Sequence, residues 1–175
     1  MAKLKKGYIQ IYTGDGKGKT TAALGLALRA AGFGLKVFIA QFIKGMQYSE
    51  IKALKKYSDN ISVKQYGRGC FIMREPEKED YSAAKNGFDE IKKIIKDGLY
   101  DIVILDEINI AVQLKLISIM DLIEIMENKP ENIELILTGR GADEEIIKRA
   151  DLVTEMREIK HYYRAGVLAR TGIER

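Results

Sequence analysis

The chain has 175 residues with 46% apolar and 31% charged residues and a net charge of +4, which predicts one globular domain over residues 1–175 that buries a substantial core. No apolar run approaches the ~20 residues of a membrane-spanning helix, and the basic start lacks the apolar segment of a signal peptide. The single cysteine, Cys70, excludes an intrachain disulfide, and basic residues are interspersed with acidic ones, so we expect a cytoplasmic protein that binds neither membrane nor nucleic acid.

Short apolar runs alternate along the chain with segments of helical periodicity, which is typical of an α/β fold with a parallel sheet covered by helices. The pattern predicts strands at about 8–13, 35–40, 61–66, 101–105, 133–137 and 151–155, and helices at about 19–31, 49–57, 78–97, 108–114, 118–128 and 143–149. We find no internal repeat or long linker. Residues 160–175 have weak periodicity, and we expect a flexible tail there that orders with a ligand or partner.

A glycine-rich loop separates the first strand from the first helix, with the sequence Thr13-Gly14-Asp15-Gly16-Lys17-Gly18-Lys19-Thr20-Thr21. This order of strand, loop and helix is the context of a phosphate-binding loop. Its glycines let backbone N–H groups form a concave nest, Lys19 adds a positive charge, and the Thr20 hydroxyl can bind Mg²⁺. The loop predicts a nucleoside triphosphate site, although Thr13 replaces the usual first glycine; the alternative is a flexible turn with an incidental lysine.

Two carboxylates, Asp106 and Glu107, follow the buried strand at about 101–105. An acidic residue at this place in phosphate-loop proteins reaches Mg²⁺ directly or through water. Ligands bind at the carboxyl ends of strands in such sheets, so both residues should face Thr20. The alternative is an ordinary acidic helix start.

Two further segments follow predicted strands and should reach the same edge of the sheet. Thr138-Gly139-Arg140 offers a guanidinium that could bind a phosphate, or Arg140 could be a surface residue in a turn. Tyr66-Gly67-Arg68-Gly69-Cys70-Phe71 could line a pocket or pack beneath a loop. Cys70 resembles an ordinary buried thiol, and His161, the only histidine, has no evident partner.

Several segments together resemble the ATP:corrinoid adenosyltransferase family over nearly the whole chain. The resemblance rests on the loop at residues 13–23 and on the following segments: Gln41-Phe42-Ile43-Lys44-Gly45, Leu105-Asp106-Glu107, Thr138-Gly139-Arg140, Ala150-Asp151-Leu152-Val153-Thr154-Glu155-Met156, Lys160-His161 and Gly166-Val167-Leu168-Ala169-Arg170-Thr171-Gly172-Ile173-Glu174. Thr13 in place of glycine is itself a feature of this family.

The resemblance implies a RecA-like phosphate-loop fold and a homodimer. It also implies transfer of the 5′-deoxyadenosyl group of ATP to cobalt(I) of a reduced corrinoid, with release of triphosphate, in adenosylcobalamin biosynthesis or salvage. ATP lies reversed in this family, so that the loop holds the outer phosphates. Mg²⁺ or Mn²⁺ and an electron-donor protein that reduces cobalt are the implied cofactor and partner.

This resemblance also assigns roles to individual residues. Residues 14–21, with Lys19 and a metal on Thr20 and Glu107 or Asp106, stabilise the leaving triphosphate, which makes Lys19, Thr20 and Glu107 the expected catalytic residues. The family has Phe and Trp at its corrinoid face, where this chain has Phe71 and no tryptophan. Phe71 is therefore the expected corrinoid contact, and Arg140 joins the nucleotide site.

Two other functions fit the local motifs. One is an ordinary ATPase or kinase in which Glu107 positions a water molecule or acceptor. The other is a non-catalytic nucleotide-binding module whose mobile tail binds a protein partner. Neither is excluded by the phosphate-binding loop alone.

Overall fold

Six parallel strands form one sheet in the computed structural model, which describes residues 3–46, 48–69 and 75–174. The strands are β1 (Ile9–Thr13), β2 (Val37–Gln41), β3 (Ile61–Gln65), β4 (Ile102–Asp106), β5 (Glu134–Thr138) and β6 (Leu152–Glu155). The helices are α1 (Lys19–Phe33), α2 (Ser49–Leu54), α3 (Lys78–Asp97), α4 (Ile108–Gln113), α5 (Ile119–Asn128) and α6 (Glu144–Ile147). Across the sheet the strands run in the order β3-β2-β4-β5-β1-β6.

The three strands β2, β4 and β5 are buried at every residue and lie next to one another inside the sheet. Their continuous apolar sequences follow from this position, because a parallel strand covered on both faces has no side for water. The edge strand β6 is exposed at every residue. The fold expectation, an α/β protein with a parallel sheet, is confirmed.

Helices cover both faces of the sheet and create two apolar clusters. On one face, α3 and α5 pack Phe88, Ile91 and Leu122 among residues such as Val103 and Leu135. On the other face, α1 buries Ala23, Ala27 and Ala30 beside Ile104 and Ile136. Alternate residues of β4 therefore belong to opposite clusters, as the two-residue period of a strand requires.

The element boundaries lie close to those expected from the sequence. Helix α3 has the expected bounds, while the helix expected at 49–57 is α2 followed by a 3₁₀ turn at Lys55–Tyr57. After β6 the chain returns towards the phosphate-binding loop and forms a second 3₁₀ turn at Tyr162–Ala165. None of the helices in the described ranges is long and apolar enough to cross a membrane.

Candidate active site

The carboxyl ends of β1, β2, β4 and β5 bring the polar segments of the sequence to one edge of the sheet. Strand β5 lies between β1, which leads into the glycine-rich loop, and β4, which ends at Asp106. The parallel register pairs Gln41 with Asp106 and Tyr12 with Thr138. The expectation that the loop and the acidic pair share this edge is met by the geometry.

The glycine-rich loop needs glycines for both its conformation and its packing. Gly14 and Gly18 have φ values of 91° and 124°, in the region that favours glycine. A Cβ atom on Gly14 or Gly16 would lie 2.5 or 2.7 Å from the carbonyl oxygen of Met156, which closely supports the loop. The Gly16 N–H donates to that same oxygen at 2.6 Å. The segment after β6 therefore fixes the loop from one side.

Lys19 begins α1 and turns its side chain back onto the loop. Its Nζ donates to the carbonyl oxygens of Gly14 and Gly16 at 2.7 and 2.8 Å, and the residue is buried. Burial, followed by the positive charge of Arg140, lowers the pKa of Lys19. The ammonium group thus lies against a loop whose N–H groups and helix end favour anions.

Thr20 and Asp106 are in direct contact. The Thr20 hydroxyl donates to Asp106 Oδ1 at 2.8 Å, and the Thr138 hydroxyl donates to the same oxygen at 2.7 Å. Asp106 is only 1% exposed. A hydroxyl and a carboxylate brought together in this way supply the hard oxygen ligands that Mg²⁺ prefers.

Glu107 lies beside this pair in an unusual backbone conformation. Its φ is 62°, and its N–H donates to the Thr138 hydroxyl at 3.0 Å. Burial and then the negative charge of Asp106 raise the pKa of Glu107, against the opposing charges of Lys44, Lys19 and Arg140. Left-handed non-glycine residues occur preferentially at functional sites, and Glu107 fits that tendency.

Lys44 is the residue of this site to which the sequence reasoning gave no role. Its Nζ lies 2.9 Å from Asp106 Oδ2, 3.3 Å from the Thr20 hydroxyl and 3.9 Å from Glu107 Oε1. Burial lowers the pKa of Lys44, but the charges of Asp106 and Glu107 outweigh it and the net pKa is raised. The available signal was its place just after β2, at the edge where the other polar segments meet.

The segment after β5 brings Arg140 to the same edge. Arg140 is exposed, and its charge acts on both Lys19 and Glu107. Thr13, the departure from the usual glycine, is buried, and its hydroxyl accepts a hydrogen bond from the Ala142 N–H at 3.1 Å. The first residue of the loop is therefore joined directly to the segment that carries Arg140.

Three other expected site residues, Lys17, Asp15 and Thr21, belong to the glycine-rich loop and the start of α1. Lys17 points to the C-terminal tail, where its Nζ donates to Glu174 Oε1 at 2.8 Å and to the Tyr162 hydroxyl at 3.1 Å. Asp15 and Thr21 are exposed. Phe71, the expected corrinoid contact, lies outside the described residues, as does Cys70.

His161 has a structural partner. Its Nδ1 accepts a hydrogen bond from the Tyr163 N–H at 3.1 Å and so caps the second 3₁₀ turn. This is the helix-start arrangement in which a side chain satisfies a free backbone N–H.

Comparison with known proteins decides the family. A family model described as "ATP:corrinoid adenosyltransferase BtuR/CobO/CobP" matches residues 5–175. The chain belongs to this family. Corrinoid adenosyltransferases of Sinorhizobium and of Escherichia coli K12 are 36% and 35% identical to it, over 97% and 99% of this chain and 81% and 88% of theirs. The corrinoid adenosyltransferase of Salmonella typhimurium is 36% identical, over 99% of this chain and 88% of its own.

A solved structure supports the fold. The chain is similar to a KaiC-like protein from Pyrococcus horikoshii with a TM-score of 0.59 and 15% identity, covering 90% of this chain and 75% of that one. At this identity the likeness concerns the fold alone, which is RecA-like with a phosphate-binding loop.

Proposed function

We propose that this ATP:corrinoid adenosyltransferase works by holding the triphosphate of ATP as a leaving group while cobalt(I) of a reduced corrinoid takes the 5′-deoxyadenosyl group. ATP and a corrinoid are its substrates. The observation that carries the function is the family match over residues 5–175, which includes every polar segment at the edge of the sheet. It favours adenosyl transfer over an ATPase, a kinase or a binding module.

The reaction needs little acid–base chemistry from the protein. Cobalt(I) supplies both electrons of the new cobalt–carbon bond to C5′ of ATP. The bond between C5′ and its oxygen breaks, and that electron pair leaves with the triphosphate. The nucleophile has no proton to lose, so the protein's tasks are to align the substrates and to stabilise the departing anion.

The glycine-rich loop and Lys19 perform the second task in this proposal. Lys19 gives up the carbonyl oxygens of Gly14 and Gly16 and binds phosphate oxygens, beside the free N–H groups at the start of α1. Arg140 approaches from the segment after β5. A buried lysine interacts strongly with an arriving polyanion because little water screens it.

The oxygens of Thr20 and Asp106 suit Mg²⁺, or Mn²⁺, with Glu107 nearby. Among the residues that the structure describes, no group of three or more His, Cys, Asp and Glu side chains could hold a metal. We therefore infer that the phosphates of ATP complete the metal's ligands, as is usual for Mg²⁺. A bound metal would supply positive charge to the triphosphate.

Further proposals concern the corrinoid and the protein's surroundings. Phe71 contacts the corrinoid, and residues 160–175 form the tail of a single domain that spans residues 1–175. The protein acts as a cytoplasmic homodimer in adenosylcobalamin biosynthesis or salvage. An electron-donor protein reduces the cobalt of its corrinoid substrate to cobalt(I).

The test is anaerobic incubation of the purified protein with Mg²⁺, ATP and chemically reduced cobalamin. We expect a light-sensitive product with the spectrum of an alkylated corrinoid, formed in proportion to the ATP consumed. Cleavage of ATP to ADP at the same rate with and without the corrinoid would refute the proposal and indicate an ATPase. Protein without added reductant is the matched control.

A further inference from the structure

Lys44 contacts the two residues that we propose hold a divalent cation. Its ammonium group lies 2.9 Å from Asp106 Oδ2 and 3.3 Å from the Thr20 hydroxyl, the two residues with the oxygens suited to Mg²⁺. Gln41 Nε2 also donates to Asp106 Oδ2, at 3.1 Å. A metal ion on Asp106 and Thr20 would therefore meet a positive charge already in contact with both.

The burial of this ion pair restricts where Lys44 can go. The side chains of Lys44 and Asp106 are 7% and 1% exposed. Breaking a buried pair is strongly unfavourable, and a metal that takes Asp106 leaves Lys44 with only the more distant Glu107, 3.9 Å away, so a further anion that arrives with the metal would be favoured at Lys44. The triphosphate is such an anion, and Thr20 immediately follows the phosphate-binding Lys19 in the loop.

The backbone around Lys44 holds the side chain at this edge. Ile43 has a φ of 66°, which is a genuine outlier for a β-branched residue. Gly45 packs tightly on the next loop: a Cβ there would lie 2.4 Å from Gly67 O, and its N–H donates to Gly69 O at 2.6 Å. Such strain persists only where the surrounding structure imposes it, and it concentrates at functional sites.

We propose that the ammonium group of Lys44 exchanges its partners during catalysis, from Asp106 and Thr20 to the triphosphate of ATP. Without nucleotide it neutralises Asp106 and keeps divalent metal off the Thr20–Asp106 pair. When the metal arrives with ATP, Lys44 releases both side chains and binds the triphosphate, which makes it a catalytic residue that contacts the leaving group. The identity of the anion that Lys44 binds rests on the proposed function. The exchange of partners at Asp106 does not depend on it.

The test uses Mn²⁺ and inorganic triphosphate as probes of Lys44→Met. Mn²⁺ alone, followed by electron paramagnetic resonance, should bind the variant at least about tenfold more tightly than the parent, because Asp106 has lost its competing cation. Inorganic triphosphate with Mg²⁺, followed by calorimetry, should bind at least about tenfold more weakly. Opposite changes in the two affinities are expected if the charge of Lys44 both opposes the metal and attracts the triphosphate, since general damage to the site would weaken both.

Two further variants complete the experiment. Lys44→Arg keeps the charge and should bind Mn²⁺ as weakly as the parent. Lys64→Met removes an exposed lysine that pairs with Glu90 and should change neither affinity. If Lys44→Met does not fold, Lys44→Gln takes its place in both titrations. Unchanged or weakened Mn²⁺ binding in the uncharged variant would overturn the inference, and it could do so even if the parent adenosylates cobalamin normally.

Discussion

The hydroxyl of Thr13 accepts a hydrogen bond from the backbone N–H of Ala142 at 3.1 Å, across 129 positions of sequence. It joins the start of the phosphate-binding loop to the segment after β5, which carries Arg140. A glycine at position 13, as in the usual loop pattern, has no side chain to make this bond. The departure from the pattern therefore has a structural role, because it joins two parts of the proposed nucleotide site.

Replacing Thr13 by valine tests this link. Valine keeps the branched shape suited to β1 but leaves the Ala142 N–H unpaired, so we expect a loss of about 1–3 kcal/mol in the free energy of unfolding. Denaturant unfolding measures the change. Thr154→Val, at an exposed position of the neighbouring β6, is the control. Equal losses in the free energy of unfolding of the two variants would show that the hydrogen bond of Thr13 does not contribute to stability.

Lys19→Ala tests the loop's role in holding the leaving group. We expect the adenosylation rate at saturating substrates to fall about a hundredfold, since one preorganised charge contributes about 3 kcal/mol to transition-state stabilisation. The adenosylation rate is measured from the initial rate of cobalt–carbon bond formation. The exposed Lys64→Ala variant should keep the parent rate. An adenosylation rate in Lys19→Ala equal to that of the parent would remove Lys19 from the mechanism.

Glu107→Gln should stabilise the nucleotide-free protein at neutral pH. Burial and the charge of Asp106 raise the pKa of Glu107 above its ordinary value of 4.5, so the fold favours its protonated form. The stability gained by binding this proton in the folded protein is complete below the ordinary pKa of Glu107. It is lost as the pH rises through the raised pKa of Glu107 in the folded state. The variant lacks the charge and should melt at a higher temperature at pH 7, with the difference closing towards pH 4. Thermal melts across this range that show a constant difference, or a less stable variant at pH 7, would contradict the expectation.

Glu174→Gln tests how the tail is attached to the loop. Glu174 accepts hydrogen bonds from Lys17, the Tyr162 hydroxyl and the Arg170 backbone N–H. Because exposed ion pairs contribute little to global stability, the melting temperature should stay nearly constant while amide hydrogen exchange accelerates in residues 162–174. Glu145→Gln, which breaks an exposed pair on α6, should leave exchange in the tail unchanged. Unaltered exchange in both variants would mean that Glu174 does not hold the tail.

The sequence predicted the parts of this site that depend on local pattern. Apolar runs indicated the buried strands, and because parallel strands end at one edge, the contact of Thr20 with Asp106 could be anticipated from residues 86 positions apart. The position of Lys44 just after β2 indicated this edge, but its burial against Asp106 could not be anticipated, since nothing local distinguishes such a lysine from one in solvent. The same holds for Lys17 and Lys19, two positions apart in one loop, whose ammonium groups point to the tail and to the loop carbonyls.

The fate of the three phosphates tests the central claim most directly. The parent protein, incubated anaerobically with Mg²⁺, ATP and reduced cobalamin, is analysed by phosphorus nuclear magnetic resonance alongside the corrinoid spectrum. We expect intact triphosphate, one for each adenosylated corrinoid formed, because only the bond between C5′ and its oxygen breaks. ADP and phosphate as the products, with no alkylated corrinoid, would contradict it.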